Sequence, residues 1–198
     1  MNDTLTALRA ALEHDTARSS DFDLNPDVIL PAGRKLRPAG VLVPIQFVQD
    51  VPYVILTKRA SHLKHHPGQI AFPGGKQDET DVDVIAAALR EAREEIGLPT
   101  ENTTVLGTLP AHETVTSFCV TPVLAHVKHP FEVVPEPGEV EEVFSVPLAH
   151  VTNPINYSIQ SRRWMGHKRS YFTVPFGSYY IWGATARILM GLAERMHP

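Results

Sequence analysis

The chain has 198 residues, a hydrophobic fraction of 43%, a charged fraction of 20% and a net charge of −4, the profile of one globular domain with a short extension. The acidic balance excludes a general nucleic-acid binder, and no apolar run reaches membrane-spanning length, so neither nucleic acid nor membrane is an expected partner. The single cysteine, Cys119, cannot form an internal disulfide and is expected as a small buried side chain in a reducing, cytoplasmic setting.

In chain order, residues 4–13 read as a short amphipathic helix, and the polar, proline-rich stretch to about Pro38 reads as an arm on the surface. This divides the chain into a helix and arm over 1–36 and a main domain over 37–198. Residues 40–48 (GVLVPIQFV) and 53–57 (YVILT) are apolar, β-branched runs joined by Gln49 and Asp50, the pattern of an antiparallel hairpin. From Lys58 to His66 the chain becomes basic (KRASHLKHH), before Pro67 and Gly68 break it and Phe72-Pro73-Gly74-Gly75 follow. Residues 84–96 then read as a helix, with Asp81 or Asp83 as N-cap, Gly97 as the stop and Pro99 preventing continuation. Further strands are expected at 105–109, 120–127, 142–146, 158–164 and 171–174, and a closing helix at 183–196. The 17 prolines mark frequent turns and short strands. Strands that outnumber helices, with a helix set between hairpins, predict an α+β fold, a mixed sheet with helices on its faces.

Chemistry concentrates between Lys58 and Leu98. At about 3.6 residues per turn, Glu91, Glu94 and Glu95 fall within roughly 100° of one another. Ile85, Leu89, Ala92 and Ile96 form an adjacent apolar stripe, so the helix can dock while its carboxylates stay free. Neighbouring like charges cost a few tenths of a kcal/mol each, about 0.2–0.5, which Arg90 and Arg93 offset in part and a divalent cation offsets more. A glutamate-rich helix, a basic loop or a Gly-Gly turn is ordinary by itself. In this order they describe a phosphoanhydride site: carboxylates for Mg²⁺ or Mn²⁺, and cations for the phosphates beyond the metal's reach. His65-His66 lacks the CxxC or HExxH company of a zinc site.

These residues resemble the signature of Nudix hydrolases, G-x5-E-x7-R-E-U-x-E-E-x-G-U with U apolar, filled here by Gly75, Arg90, Glu91, Ala92, Glu94, Glu95, Gly97 and Leu98. The interval from Gly75 to Arg90 is one residue longer than the pattern. The first glutamate is absent, with Asp81 or Asp78 its nearest substitute. The upstream run resembles the signature of the coenzyme A pyrophosphatase branch, L-L-T-x-R-[SA]-x3-R-x3-G-x3-F-P-G-G. It places Leu56, Thr57, Arg59, Ala60, Gly68, Phe72, Pro73, Gly74 and Gly75 in register, with Lys64 for the second arginine. The tail SYYIWGATARIL is similar to bacterial members of that branch.

The resemblance implies a Nudix fold, an α/β/α sandwich around a mixed sheet, and metal-dependent hydrolysis of coenzyme A or its derivatives to 3′,5′-ADP and 4′-phosphopantetheine. It implies that Glu91, Glu94, Glu95 and the backbone carbonyl of Gly75 hold the metal. Arg90 then organises the carboxylates, with Asp81 a candidate partner. Glu91 or Glu139 supplies the base. Arg59 and Lys64, with His65 or His66 secondary, contact substrate phosphates. Two alternatives stay open: hydrolysis of ADP-ribose, a dinucleoside polyphosphate or NADH, and a nucleotide-binding module of this fold without catalysis. The sequence also leaves a homodimer open.

Overall fold

Val54, Ile55 and Leu56 in the run YVILT are all almost wholly inaccessible. A strand apolar on both faces needs a layer on each side of its sheet, and that requirement organises the molecule. The computed structural model describes residues 1–14, 17–30, 33–164 and 166–197. Positions 15, 16, 31 and 32 of the expected arm, and 165 and 198 of the main domain, lie outside the described residues.

Four helices and eleven strands are formed among those residues: α1 (Asn2–Glu13), β1 (Ser19–Ser20), β2 (Arg37–Val48), β3 (Val51–Arg59), β4 (Ile70–Ala71), β5 (Gly74–Lys76), α2 (Val84–Ile96), β6 (Thr103–Thr108), β7 (His112–Glu113), β8 (Phe118–Val127), β9 (Val140–Pro147), α3 (Leu148–Val151), β10 (Ser158–Trp164), β11 (His167–Thr173) and α4 (Ala184–Met196). The central path of the main sheet runs β1-β7-β8-β2-β3-β4, with β5 on β2, β6 on β8 and β9 on β3. β2 and β3 form the expected antiparallel hairpin. β2 and β8 run parallel, which makes the sheet mixed. β10 and β11 form a separate two-stranded ribbon.

One core layer joins α1 and α4 to the sheet through Leu8, Leu189 and Leu192 with Val54, Leu56 and Val146. The other sets Ala88, Ala92 and Ile96 of α2 against Leu42, Ile55 and Val123. The architecture is therefore helix, mixed sheet, helix, an α+β fold. The helical stripe differs slightly from the expected one. Ala88, Ala92 and Ile96 are buried, while Ile85 and Leu89 pack at the margin. Small alanines let α2 lie close on β2.

The first helix is part of the core rather than surface dressing, since Leu8 and Ala11 are buried in it. Polar side chains fasten the arm. His112, fully buried, lies 2.9 Å from the Ser19 hydroxyl and 3.1 Å from an Asp21 carboxylate oxygen. Asn25 exchanges hydrogen bonds with the backbone of Ser170 at 2.8 and 2.9 Å. Cys119 is half-buried on β8, not buried as expected. No helix among the described residues is long and apolar enough to cross a membrane.

Candidate active site

The site is assembled where β5 meets α2. β5 pairs with β2 through Gly40↔Gly75 and Val41↔Gly74, which brings the double glycine under the helix. Gly74 has φ 148°, and a β-carbon there would stand 2.5 Å from the backbone of Gly40 and Val41, so only glycine fits. A β-carbon on Gly75 would meet the Glu91 carboxyl group at 2.6 Å. The second glycine therefore opens the space in which Glu91 lies against the chain. The helix itself is well set: Asp83 caps it by accepting from the amide of Ala86 at 2.8 Å, and Gly97 ends it in the left-handed region at φ 73°.

The carboxylates are not equivalent. Glu94 is exposed, Glu91 half-buried, and Glu95 is buried, 5% exposed. This corrects the expectation that all three stay free. The amide of Gly74 donates to Glu95 at 3.0 Å, tying the double glycine directly to the helix. Burial pushes the Glu95 carboxyl up to about 8, helped by the negative charges of Glu91 and Glu139 and opposed by the Gly74 amide and by Arg59. Glu91 is raised as well, chiefly by burial, with Glu94 and Glu139 adding to it and Arg90 opposing.

Arg90 organises the other side of the site. Its guanidinium donates to both Asp81 oxygens, at 3.0 and 2.9 Å, to Glu91 at 3.0 Å and to Glu94 at 2.9 Å. A further donation reaches the carbonyl of Lys76 at 3.3 Å. Only a planar fork with five donors can serve so many acceptors. Arg90 is held protonated, mainly by its bonds to Asp81, and Asp81 is held below the usual carboxylate range by Arg90. The longer Gly75–Arg90 interval is accommodated by a turn in which Asp81 accepts from the amide of Asp78 at 2.9 Å. Asp81 thereby occupies the place of the missing glutamate as partner of the arginine.

The other expected residues lie around this centre. Glu139 is exposed, and its charge reaches Glu91 and Glu95. Residues 131–139 carry it there by running along the end of α2. The amides of Val134 and Glu136 donate to the carbonyls of Ile96 and Glu95 at 3.1 and 2.9 Å, and the Glu139 carbonyl accepts from Ala60 at 2.8 Å. Arg59 is half-buried beside Glu95, and its Nε has no hydrogen-bond partner among the described residues. Lys64, His65 and His66 are exposed on the loop beyond it. Sequence reasoning missed Glu141, which accepts from Lys58 at 2.6 Å and from the Ser61 amide at 3.1 Å and so anchors the start of this loop. It lies some eighty residues away in the chain, and no local pattern announces it.

The donor set fits a hard divalent cation. Glu95 and Glu91 are carboxylates whose ionisation the protein opposes by burial and by mutual repulsion, and the glycine cradle leaves room beside Glu91. Among the described residues no three acidic, histidine or cysteine side chains are already gathered as a ligand set; Glu91 and Glu94 are instead turned onto Arg90.

Comparison with known proteins places this arrangement. A family model for the NUDIX domain matches residues 36–167. The chain is 41% identical over 157 residues to a protein of Enterobacter sp. (strain 638), covering 79% of this chain and 81% of that protein. It is 38% identical over 185 residues to one of Salmonella heidelberg (strain SL476), covering 93% and 94%. Both carry the name uncharacterized Nudix hydrolase NudL. Among solved structures, the Nudix hydrolase RenU of M. smegmatis is similar at a TM-score of 0.50 and 27% identity, over 61% of this chain and 74% of that one. A MutT/nudix family protein from Enterococcus faecalis shares the fold at a TM-score of 0.54 and 17% identity, over 87% and 66%.

Proposed function

The chain belongs to the Nudix family of hydrolases, and from that membership we propose that it hydrolyses the pyrophosphate bond of coenzyme A or its derivatives. Hydrolases of this family generally use a divalent metal such as Mg²⁺ or Mn²⁺. The observation that carries the substrate assignment is the direct joining of the basic motif to the acidic one. Gly74, from the FPGG run that follows the basic loop, donates its amide to Glu95 at 3.0 Å, and Arg59, from the basic loop itself, acts on that carboxylate.

Glu91, Glu94, Glu95 and the carbonyl of Gly75 would hold the cation, which when bound supplies charge neutralisation to the pyrophosphate oxygens. Arg90, fixed on Asp81, keeps Glu91 and Glu94 in position. Glu139 is the better base of the two candidates, because it is exposed while Glu91 is engaged by Arg90. It takes the proton of the attacking water as the new P–O bond forms and the bridging P–O bond breaks. Arg59 and Lys64, with His65 secondary, neutralise the remaining phosphates. Residues 37–198 carry this machinery, and 1–36 form a helix and arm upon it. The partner is a small nucleotide.

Incubation with coenzyme A and Mg²⁺ or Mn²⁺ should yield 3′,5′-ADP and 4′-phosphopantetheine in equal amounts, and a chelator should stop it. Free phosphate as the product, or turnover indifferent to chelation, would contradict the assignment.

A further inference from the structure

The tail SYYIWGATARIL, residues 178–189, is assigned no step of the reaction, yet it bonds to the chain on both sides of the basic loop. That loop runs from Arg59 to Gln69 and is closed through the backbone of Arg59. The Arg59 amide donates to the Gln69 carbonyl at 3.0 Å, and the Gly68 amide donates to the Arg59 carbonyl at 3.1 Å. Directly after the loop the chain joins the sheet by β4, a two-residue strand at the end of the central path, paired through Thr57↔Ala71 and Lys58↔Ile70. So short an edge strand is a weak anchor by itself. The place of Arg59 therefore depends on what else holds Ile70 and the strands beside Lys58.

Thr185 holds the downstream end. It is 5% exposed at the start of α4, and its hydroxyl donates to the Ile70 carbonyl at 3.0 Å. α4 has no side-chain cap, so the hydroxyl in its first turn reaches across to β4 instead of serving its own helix. Gly183, at φ 65°, turns the chain into that helix, and its β-carbon position lies 3.7 Å from the side-chain nitrogen of Gln69. Both residues that end the loop thus lie against the tail.

Tyr179 holds the other side. Its hydroxyl donates to Glu142, and its ring stacks on Phe144 with centroids 3.6 Å apart and planes 5° from parallel. Glu142 stands opposite Lys58 in the β3–β9 register, beside the irregularity at which Val140 meets Arg59. Glu142 and Ile70 are therefore the neighbours of Lys58 on either side, and the tail bonds both. These ties span three strands one residue ahead of Arg59. The tail is itself firmly seated. The amides of Val174 and Gly183 donate to the carbonyls of Ile181 and Phe172 at 2.9 and 3.1 Å, and Ile181, Ala186 and Leu189 are wholly buried.

We propose that Thr185 and Tyr179 are positioning residues for the basic loop. They fix the backbone on both sides of Arg59 and so hold its guanidinium beside Glu95, where the substrate phosphates arrive. Neither touches substrate. This rests on the assignment of Arg59 and its loop to those phosphates. Neither tie reaches α2, so losing one acts on binding and spares the rate of the bound complex.

The test uses the full chain with Thr185→Val and Tyr179→Phe, each of which keeps the side chain's shape and removes one tie. Thr185→Ser keeps the hydroxyl. In amide hydrogen exchange, residues 60–69 should exchange about three- to tenfold faster in the first two variants. Residues 84–96 of α2 should exchange as in the wild type, and Thr185→Ser should restore the wild-type loop. In turnover at saturating Mg²⁺ or Mn²⁺ the same two variants should raise KM for coenzyme A about three- to tenfold, with kcat within a factor of about two. Loop exchange unchanged in both variants overturns the proposal. So does exchange that rises equally in the loop and in α2, the mark of general destabilisation, and so does faster loop exchange with KM unchanged. A wild type that turns over another nucleoside diphosphate derivative but not coenzyme A overturns the substrate assignment. Faster exchange confined to the loop, with KM for that other substrate raised in the variants, would then uphold the positioning role.

Discussion

The two charged regions of this site are built in opposite ways. On the acidic side nearly every group is already spoken for: Asp81, Glu91 and Glu94 share Arg90, and Glu95 is buried against the Gly74 amide. On the basic side Lys64, His65 and His66 stand in solvent, and the Nε of Arg59 has no partner among the described residues. The difference separates two tasks. The acidic side is organised before anything binds, as a reacting centre must be. On the proposed reading the basic side is completed by the substrate, whose phosphates would supply acceptors for Arg59 and Lys64. Substitutions on the first side should therefore strike kcat and metal affinity, and substitutions on the second should strike KM and substrate preference.

The largest effect is expected at Glu95. Glu95→Gln removes the carboxylate of a proposed metal ligand without changing its shape, and kcat on coenzyme A should fall about a thousandfold. Equal activity would remove the metal assignment.

The raised pKa of the same residue gives a pH signature. Because the Glu95 carboxyl sits at about 8 rather than 4.5, a proton competes with the cation below pH 8. Metal affinity should then weaken up to about tenfold per pH unit as pH falls from 8 to 6. The metal-free protein should show the reverse trend in stability. A carboxyl raised by folding contributes stability that is fully present below its unfolded value and is lost as pH rises through its folded value. Thermal melts without metal should thus decline from pH 5 to pH 8.5, and Glu95→Gln should flatten that decline. A flat wild-type profile would show that Glu95 ionises normally.

Arg90→Lys keeps the charge and loses the fork. It cannot hold Asp81, Glu91 and Glu94 together, and metal affinity with kcat should drop about 10–100-fold. KM rising alone would place Arg90 on the substrate side of the comparison instead.

On the basic side the effects should be smaller and selective. Arg59→Ala should lower kcat/KM on coenzyme A about tenfold more than on dephospho-coenzyme A. Equal losses on both would leave Arg59 a structural neighbour of Glu95. Lys64→Ala and His65→Ala, both at exposed positions, should raise KM only about two- to threefold. A kcat effect in either would mean that the loop closes into the reacting centre.

Local pattern made the span of α2 and its stop at Gly97 legible; it left the cap between Asp81 and Asp83, of which the structure uses Asp83, and it placed the apolar stripe slightly off the buried Ala88, Ala92 and Ile96. The β2–β3 hairpin was legible for the same reason. Three things were not. The burial of Glu95 depends on Gly74 approaching from another strand, which helix periodicity cannot reveal. The docking of α1 into the core required knowing that α4 lies beside it. Glu141 and the 131–139 segment reach the site only through long-range contacts. The family pattern offered Asp81 or Asp78 for the missing glutamate and Asp81 as a candidate partner of Arg90; in the structure Asp81 is bidentate to Arg90, while Asp78 stands 3.8 Å away.

The most direct measurement is kcat/KM for coenzyme A and for ADP-ribose, side by side, at saturating Mg²⁺ and again at saturating Mn²⁺. If the cations of the basic loop take up the 3′-phosphate as proposed, coenzyme A should be favoured by about tenfold or more with at least one metal. ADP-ribose turned over faster than coenzyme A with both metals would contradict the account.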